Sequence, residues 1–267
     1  MKCSLLLVMC LLTFHPVFSQ KQHLIDSFLI DVQRLKDERK ATGTVDTTLR
    51  DTLIIDNLVN LAMLHRSNPD SGQYYASLVV DWAKKIDYQK ALGSAYNVLG
   101  TASKKQGNYP AAIDYFQKSI EVWTAKKDSL GLGATYANLG EVYRLKTDYP
   151  EALKYFLLSL RIDEALQYEI GIAYAYNYLG ATYQELGDYT KALENFQAAL
   201  EIRLRLGLDA GIAAGYNNIG TIYADEGKFA EALENYKASL AIKEKIDDRY
   251  GMANTYINIG EVYHKQG

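Results

Sequence analysis

Apolar and aromatic residues along this chain fall into short stripes with helical spacing, and the stripes recur at steps of 40 residues. Gly100, Gly140, Gly180, Gly220 and Gly260 keep that step, each preceded by Leu99, Leu139, Leu179, Ile219 or Ile259. Four residues ahead of each glycine stands Tyr96, Tyr136, Tyr176, Tyr216 or Tyr256, and three after it Tyr143, Tyr183, Tyr223 and Tyr263, with Ser103 as the exception. Further on, Ala112, Ala152, Ala192 and Ala232 are followed four residues later by Phe116, Phe156, Phe196 and Tyr236. Positions 136, 139, 140 and 143 share one face at 3.6 residues per turn, which predicts an amphipathic helix. Leu153, Phe156, Leu160 and, one step on, Leu193, Phe196, Leu200 predict a second. Each unit is therefore a pair of helices.

The punctuation agrees. Gly107, Gly187 and Gly227 fall where the first helix should end, with Thr147 substituting once, and Pro110 and Pro150 suit the first turn of the second helix. The glycines at 100, 140, 180, 220 and 260 lie inside the first helix, where Gly costs about 1 kcal/mol relative to Ala. Their recurrence implies close helix–helix approach, with alanine expected to be tolerated and bulkier side chains not. The first unit is degenerate: Asn68-Pro69-Asp70-Ser71 opens its second helix, anchored by Tyr75, Val79 and Trp82, and its first helix, roughly 48 to 66, lacks the glycine and tyrosine. Ahead of it, Leu24, Phe28, Val32 and Leu35 predict one amphipathic helix, followed by a polar turn at Ala41-Thr42-Gly43-Thr44. A terminal repeat has one face without a neighbour, so a capping role is expected.

These residues resemble the tetratricopeptide repeat family: aromatic, Leu, Gly, Tyr on helix A, and Ala, Phe, a small residue (Ser119, Ser159, Ala199, Ser239) and Leu on helix B. The resemblance runs from about residue 51 to 267 and implies an all-α, right-handed superhelical solenoid of antiparallel helix pairs. The expected division is 20–50 for the N-terminal helix and turn, 51–90 for the capping repeat, 91–130, 131–170, 171–210 and 211–250 for full repeats, and 251–267 for a half repeat. The common unit of that family has 34 residues and a proline closing helix B; here Thr124, Glu164, Leu204 and Glu244 hold that place. Six extra residues are expected to lengthen helices and loop up to Gly131, Gly171, Gly211 and Gly251, as in the longer repeats of kinesin light chains and many bacterial signalling proteins. Gly267 aligns with the inter-helix turn glycines, so the last unit holds helix A alone, and the sequence is expected to be a piece of a longer protein.

The N-terminus changes the picture of where the protein works. Met1-Lys2, an apolar run from Leu5 to Leu12 and Val17-Phe18-Ser19 form a secretory leader, expected over 1–19 with cleavage near Ser19, rather than a buried helix. The run is too short to span a bilayer, which takes about 20 apolar residues. Met9 before Cys10 argues against a lipoprotein box. Cys3 and Cys10 both leave with the leader, so no disulfide framework, Cys-based metal site or cysteine nucleophile is expected. Without Lys2 the chain carries 28 basic against 32 acidic residues, a charge of −4. That gives no basic footprint for nucleic acid. An exported, periplasmic or extracytoplasmic protein is the expectation, with any membrane anchor beyond residue 267.

Candidate chemistry is sparse. His23, His65 and His264 are far apart, and no HxxxH or HExxH spacing offers zinc ligands, so neither a metal nor a cofactor is expected. Gly131-Leu132-Gly133 lacks the strand and third glycine of a phosphate loop and reads as a helix-start loop; Asp247-Asp248 reads as solvated loop charge. No catalytic residue is expected. Most of the 22 tyrosines sit at signature positions and read as packing; Tyr174 and Tyr178 do not.

In the family that the chain resembles, helix A lines the concave groove. With the first tyrosine at 0°, residues +1, +5 and +8 fall at about 80–140° and +2 and +9 near 180–200°. The candidate groove residues are Asn97, Thr101, Lys104 and Lys105; Asn138, Glu141 and Arg144; Asn177, Tyr178 and Glu185; Asn217, Asn218, Thr221 and Asp225; and Asn258 and Glu261. The recurring asparagines offer donor and acceptor to a peptide backbone, or else bridge neighbouring helices. The drift from Lys104, Lys105 and Arg144 to Glu185, Asp225 and Glu261 suggests an orientation preference for a partner, or else a solvated face. The family's carboxylate clamp for chaperone tails needs a helix-A lysine where this chain has Ser94, Ala134, Tyr174, Ala214 and Asn254, so such tails are not expected. The expected function is an exported scaffold binding a protein or peptide in its groove. Resemblance to bacterial proteins with a leader and 40-residue repeats implies, as context, the sensory part of a membrane-bound signalling protein; the alternatives are a free-standing periplasmic assembly or secretion scaffold and the N-terminal fragment of a sensor histidine kinase or nucleotide cyclase.

Overall fold

The computed structural model describes residues 25–37, 47–65 and 68–266. The expected leader, both cysteines, His23, Leu24, the polar turn at 41–44 and Gly267 lie outside those residues. Among the described residues there are twelve helices and no strand: α1 (25–37), α2 (Thr47–Leu64), α3 (Pro69–Lys85), α4 (Gln89–Lys105), α5 (Tyr109–Lys126), α6 (Ser129–Leu145), α7 (Tyr149–Ala165), α8 (Glu169–Glu185), α9 (Tyr189–Arg205), α10 (Asp209–Asp225), α11 (Phe229–Lys245) and α12 (Arg249–Gln266). They form two compact units, one ending at Lys127 and the other starting at Asp128. In the first, α2 packs on α3 and α4, α3 on α4, and α4 on α5, with Ile25, Val32 and Leu35 of α1 joining the same core. In the second, every helix from α6 to α12 packs on the next, and α6 also touches α8, as α10 does α12.

From α4 on, most helices run 17 residues, about 26 Å at 1.5 Å per residue. The turns between them hold two or three residues, so neighbours are antiparallel. The extra length over a 34-residue unit is thus in the helices rather than in a loop. Gly131-Leu132-Gly133 lies within α6, not in a helix-start loop. The Asp128 side chain accepts from Gly131 N–H at 2.9 Å, and Asp248 accepts from Gly251 N–H at 2.9 Å, so each helix starts ahead of its glycine. Asp248 is therefore a cap, while Asp247 pairs with Arg249 at 3.0 Å. From α4 on, each helix-A-to-B turn holds one residue at positive φ: Gly187 supplies it at 76° and Thr147 at 60°.

The contact that sets the pairs is between the mid-helix glycine and the helix-B aromatic ring. A Cβ added at Gly100 would lie 2.6 Å from the Phe116 ring; at Gly140, Gly180 and Gly220 it would lie 2.8, 2.8 and 2.9 Å from Phe156, Phe196 and Tyr236. All four rings are at most 1% exposed. Alanine, expected from the sequence to fit, has no room: the ring occupies its methyl's place. Hydroxyls tie the same pairs, Ser119 Oγ donating to Gly93 O at 2.9 Å and Ser239 Oγ to Ala213 O at 2.8 Å. Signature tyrosines stack within pairs, Tyr143 on Tyr155 at 5.4 Å and Tyr96 on Tyr115 at 6.5 Å. At α12 the pattern is open: nothing lies within 4 Å of a Cβ at Gly260, and Tyr256, Ile257 and Tyr263 are more than half exposed.

Two alanine substitutions separate propensity from packing. Overpacking a core costs about 1–3 kcal/mol, more than the ~1 kcal/mol that Ala gains over Gly in a helix. Gly180→Ala is expected to lower unfolding stability by up to about 2 kcal/mol, and Gly260→Ala to raise it by up to about 1 kcal/mol, in denaturant melts followed by circular dichroism. Equal gains at both positions would mean that the ring contact exerts no constraint.

Candidate peptide-binding groove

On the helix-A face of the second unit, polar side chains bridge successive helices at a fixed separation of 41 residues. Asn218 Nδ2 donates to Asn177 Oδ1 at 3.1 Å, and Asn258 Nδ2 to Asn217 Oδ1 at 3.4 Å. One turn or more further along, Arg144 forms an ion pair with Glu185, and Gln184 Nε2 donates to Asp225 Oδ2 at 3.1 Å. Position +1 thus meets +2 of the next repeat, and +8 meets +9. Bridging is one role these asparagines fill, and it holds their amides in one orientation. Because Arg144 and Glu185 neutralise one another, the drift from basic to acidic does not run unbroken through this unit.

The other candidates are dispersed. Asn97, Thr101 and Lys104 lie on α4 of the first unit, where Thr101 Oγ1 donates to Asn97 O at 3.0 Å; Lys105 beside them is exposed. Asn138 and Glu141 are half-buried on α6. Tyr178 lies flat on Phe156 with centroids 5.0 Å apart, so it packs between repeats, and burial pushes its phenol above the ordinary value. Thr221 donates to Asn217 O at 3.0 Å and accepts from the Tyr236 hydroxyl at 3.2 Å. Glu261 is exposed on α12.

The feature that sequence reasoning missed is on helix B. Trp123, Asp163, Arg203 and Lys243 recur at the 40-residue step, and all four are buried. Spacing carried the signal: 196, 200 and 203 continue one apolar stripe, so Arg203 places a charge on a face otherwise made of Phe and Leu. Lys243 is satisfied locally, donating to Gly251 O at 3.1 Å and Thr255 Oγ1 at 2.6 Å, and burial lowers its ammonium below the ordinary value. Asp163 faces the Ser159 hydroxyl at 3.5 Å, and burial raises its carboxyl. Arg203 donates through Nη1 to Gly211 O and Asn177 Oδ1, both at 3.3 Å, and its guanidinium lies 5.9 Å from the centre of the Tyr174 ring.

Beside Arg203 is a cavity of about 660 Å³. It is lined by Ile170, Ala173, Tyr174 and Asn177 of α8, Arg203 of α9, Gly207 and Leu208 of the turn, and Asp209, Ala210, Gly211, Ala214 and Asn218 of α10. That size suits a few side chains of a bound segment or a small ligand. Of the sequence candidates, Asn177 and Asn218 fall in its wall, together with Tyr174. Among the described residues no group of three His, Cys, Asp or Glu side chains could hold a metal ion, and no helix is long and apolar enough to cross a membrane.

The tetratricopeptide repeat model matches residues 91–165, 171–245 and 211–267, and the chain belongs to that family. Its repeats make it a scaffold for protein–protein interaction. Comparison with curated proteins returned no significant match. Similar solved structures include BtubC (BKLC) from P. vanneervenii, at 17% identity and TM-score 0.71 over 85% of this chain and 92% of that one. A signal transduction ATPase with a tetratricopeptide repeat sensor from Pyrococcus horikoshii matches at 17% identity and TM-score 0.61, covering 92% of this chain and 42% of its own. Aspartyl phosphate phosphatase F from Bacillus subtilis matches at 15% and 0.62, covering 92% and 69%. At these identities the likeness is one of fold.

The buried column makes stability depend on pH. Burial raises the Asp163 carboxyl above 3.8, so the folded state favours the protonated acid. Stability from this group is therefore full below about pH 4 and lost as pH rises through its folded value. Asp163→Asn is expected to raise the melting temperature at pH 7, by roughly 2–4 °C per kcal/mol gained at this chain length, and the gain should vanish by pH 3. A lower melting temperature at pH 7, or a gain undiminished at pH 3, would contradict that reading.

Proposed function

We propose that this chain is an exported scaffold that holds a protein or peptide segment against the helix-A face of its second unit. The observation that carries the reading is the cavity between α8 and α10, walled by Asn177, Asn218, Tyr174 and the buried Arg203. The asparagine bridges hold polar groups in place before a partner arrives, which reduces the ordering cost of binding. Export rests on the leader pattern over 1–19. A sensory role within a membrane-bound signalling protein is the preferred context; its support is the fold likeness to the repeat sensor of the Pyrococcus ATPase, of which this chain spans under half.

A photo-crosslinking residue in place of Ala214, on the cavity wall, and separately in place of Leu157, exposed on α7, tests the reading in cells making the protein. Partner adducts are expected from position 214 and not from 157, on a chain whose intact mass begins at Gln20. Adducts from 157 alone, or equally from both, would place binding elsewhere, and a chain retaining Met1 would remove the export reading.

A further inference from the structure

We infer that the cavity between α8 and α10 is an anchor pocket for one carboxylate of the partner segment, received by Arg203; this rests on the scaffold function proposed above. Arg203 is 6% exposed, and a cation so placed is costly unless an anion or a full set of hydrogen bonds compensates it. Its guanidinium has five N–H donors, and among the described residues its hydrogen bonds are the two from Nη1. Both are to neutral oxygens at 3.3 Å, longer than the roughly 2.7–2.9 Å of charge-assisted bonds. Burial lowers the guanidinium below its ordinary value, and the Tyr174 phenol acts the other way.

The acid in the cavity wall does not answer this charge. Asp209 lines the same cavity, yet its carboxylate pairs with Lys245 at 2.8 Å. That pair is neutral as a unit, so the cavity is left with one net positive charge, which calls for a monoanion. Lys243, one repeat on in the same column, shows the contrast, since its ammonium reaches Gly251 O and Thr255 Oγ1 at 3.1 and 2.6 Å. The rest of the wall suits a carboxylate. Leu208 leaves the start of α10 without a side-chain cap, and the first turn of that helix lines the cavity. Asn218 Nδ2 stands on the same wall, and the guanidinium fork matches two carboxylate oxygens. The cation comes from helix B, since the helix-A positions 174 and 214 carry Tyr and Ala.

The carboxylate is a Glu or Asp side chain or a chain terminus, and three peptide probes distinguish them: acetyl-Leu-Glu-Leu-amide, acetyl-Leu-Gln-Leu-amide and acetyl-Leu-Leu as the free acid. Each is titrated into the mature chain labelled with ¹⁵N-arginine while the Nε–Hε signal of Arg203, assigned by its loss in Arg203→Lys, is followed. At least one acid probe is expected to shift that signal saturably, with the Gln probe at least tenfold weaker; which acid responds names the source. Tyr174→Ala, which removes the ring beside the guanidinium, should weaken the acid probe several-fold. Equal shifts from Glu and Gln probes, no shift with either acid, or stronger binding of a phosphoserine probe would overturn the inference. With crosslinking at position 214 intact, those outcomes leave the scaffold reading standing, whereas loss of that crosslinking removes the reading itself.

Discussion

An aromatic ring packed against a helix backbone at a glycine is the contact on which the rest of this structure depends. Phe116, Phe156, Phe196 and Tyr236 each occupy the volume that a Cβ would take on the facing helix, so glycine is required at 100, 140, 180 and 220 in spite of its helix-propensity cost. The gain is close approach between two 17-residue helices and dense packing of a fully buried ring. Repetition at 40 residues then repeats this contact in four helix pairs.

That register explains how a polar surface is assembled from side chains distant in sequence. A residue on one helix A meets the one 41 positions on because successive helices A are displaced by nearly the same step each time, as Asn177 with Asn218 and Asn217 with Asn258 show. Tyr178 on Phe156 carries packing from one pair to the next. The same periodicity brings position 203 between α8 and α10, where a polar or charged residue is held among apolar neighbours. Its counterparts Trp123, Asp163 and Lys243, all buried, show that this position accepts varied chemistry.

Much of this was legible in the pattern of residues. The helix pairs, the turn positions at 107, 147, 187 and 227 and the degenerate first repeat with its Asn68 cap all follow from spacing and turn chemistry. Helix starts were less legible, because Asp128 and Asp248 cap the chain before the glycines that look like loop residues. The groove was legible in part: Asn177 and Asn218 lie in the cavity wall, whereas the bridges between them depend on the offset of adjacent helices, which no single helical wheel contains. Arg203 lies outside the groove pattern, which is carried by helix A. The charge on the buried stripe of helix B was nevertheless visible at 196, 200 and 203.

The most direct test of the glycine–ring constraint is a double-mutant cycle between Gly180→Ala and Phe196→Leu, read by denaturant unfolding. Shrinking the ring should make room for the methyl group, so the double variant is expected to be more stable than the sum of the single losses implies, by about 1 kcal/mol or more. Losses that add within about 0.5 kcal/mol would show that the ring does not dictate the glycine, and the account of how these helix pairs are held in register would fail.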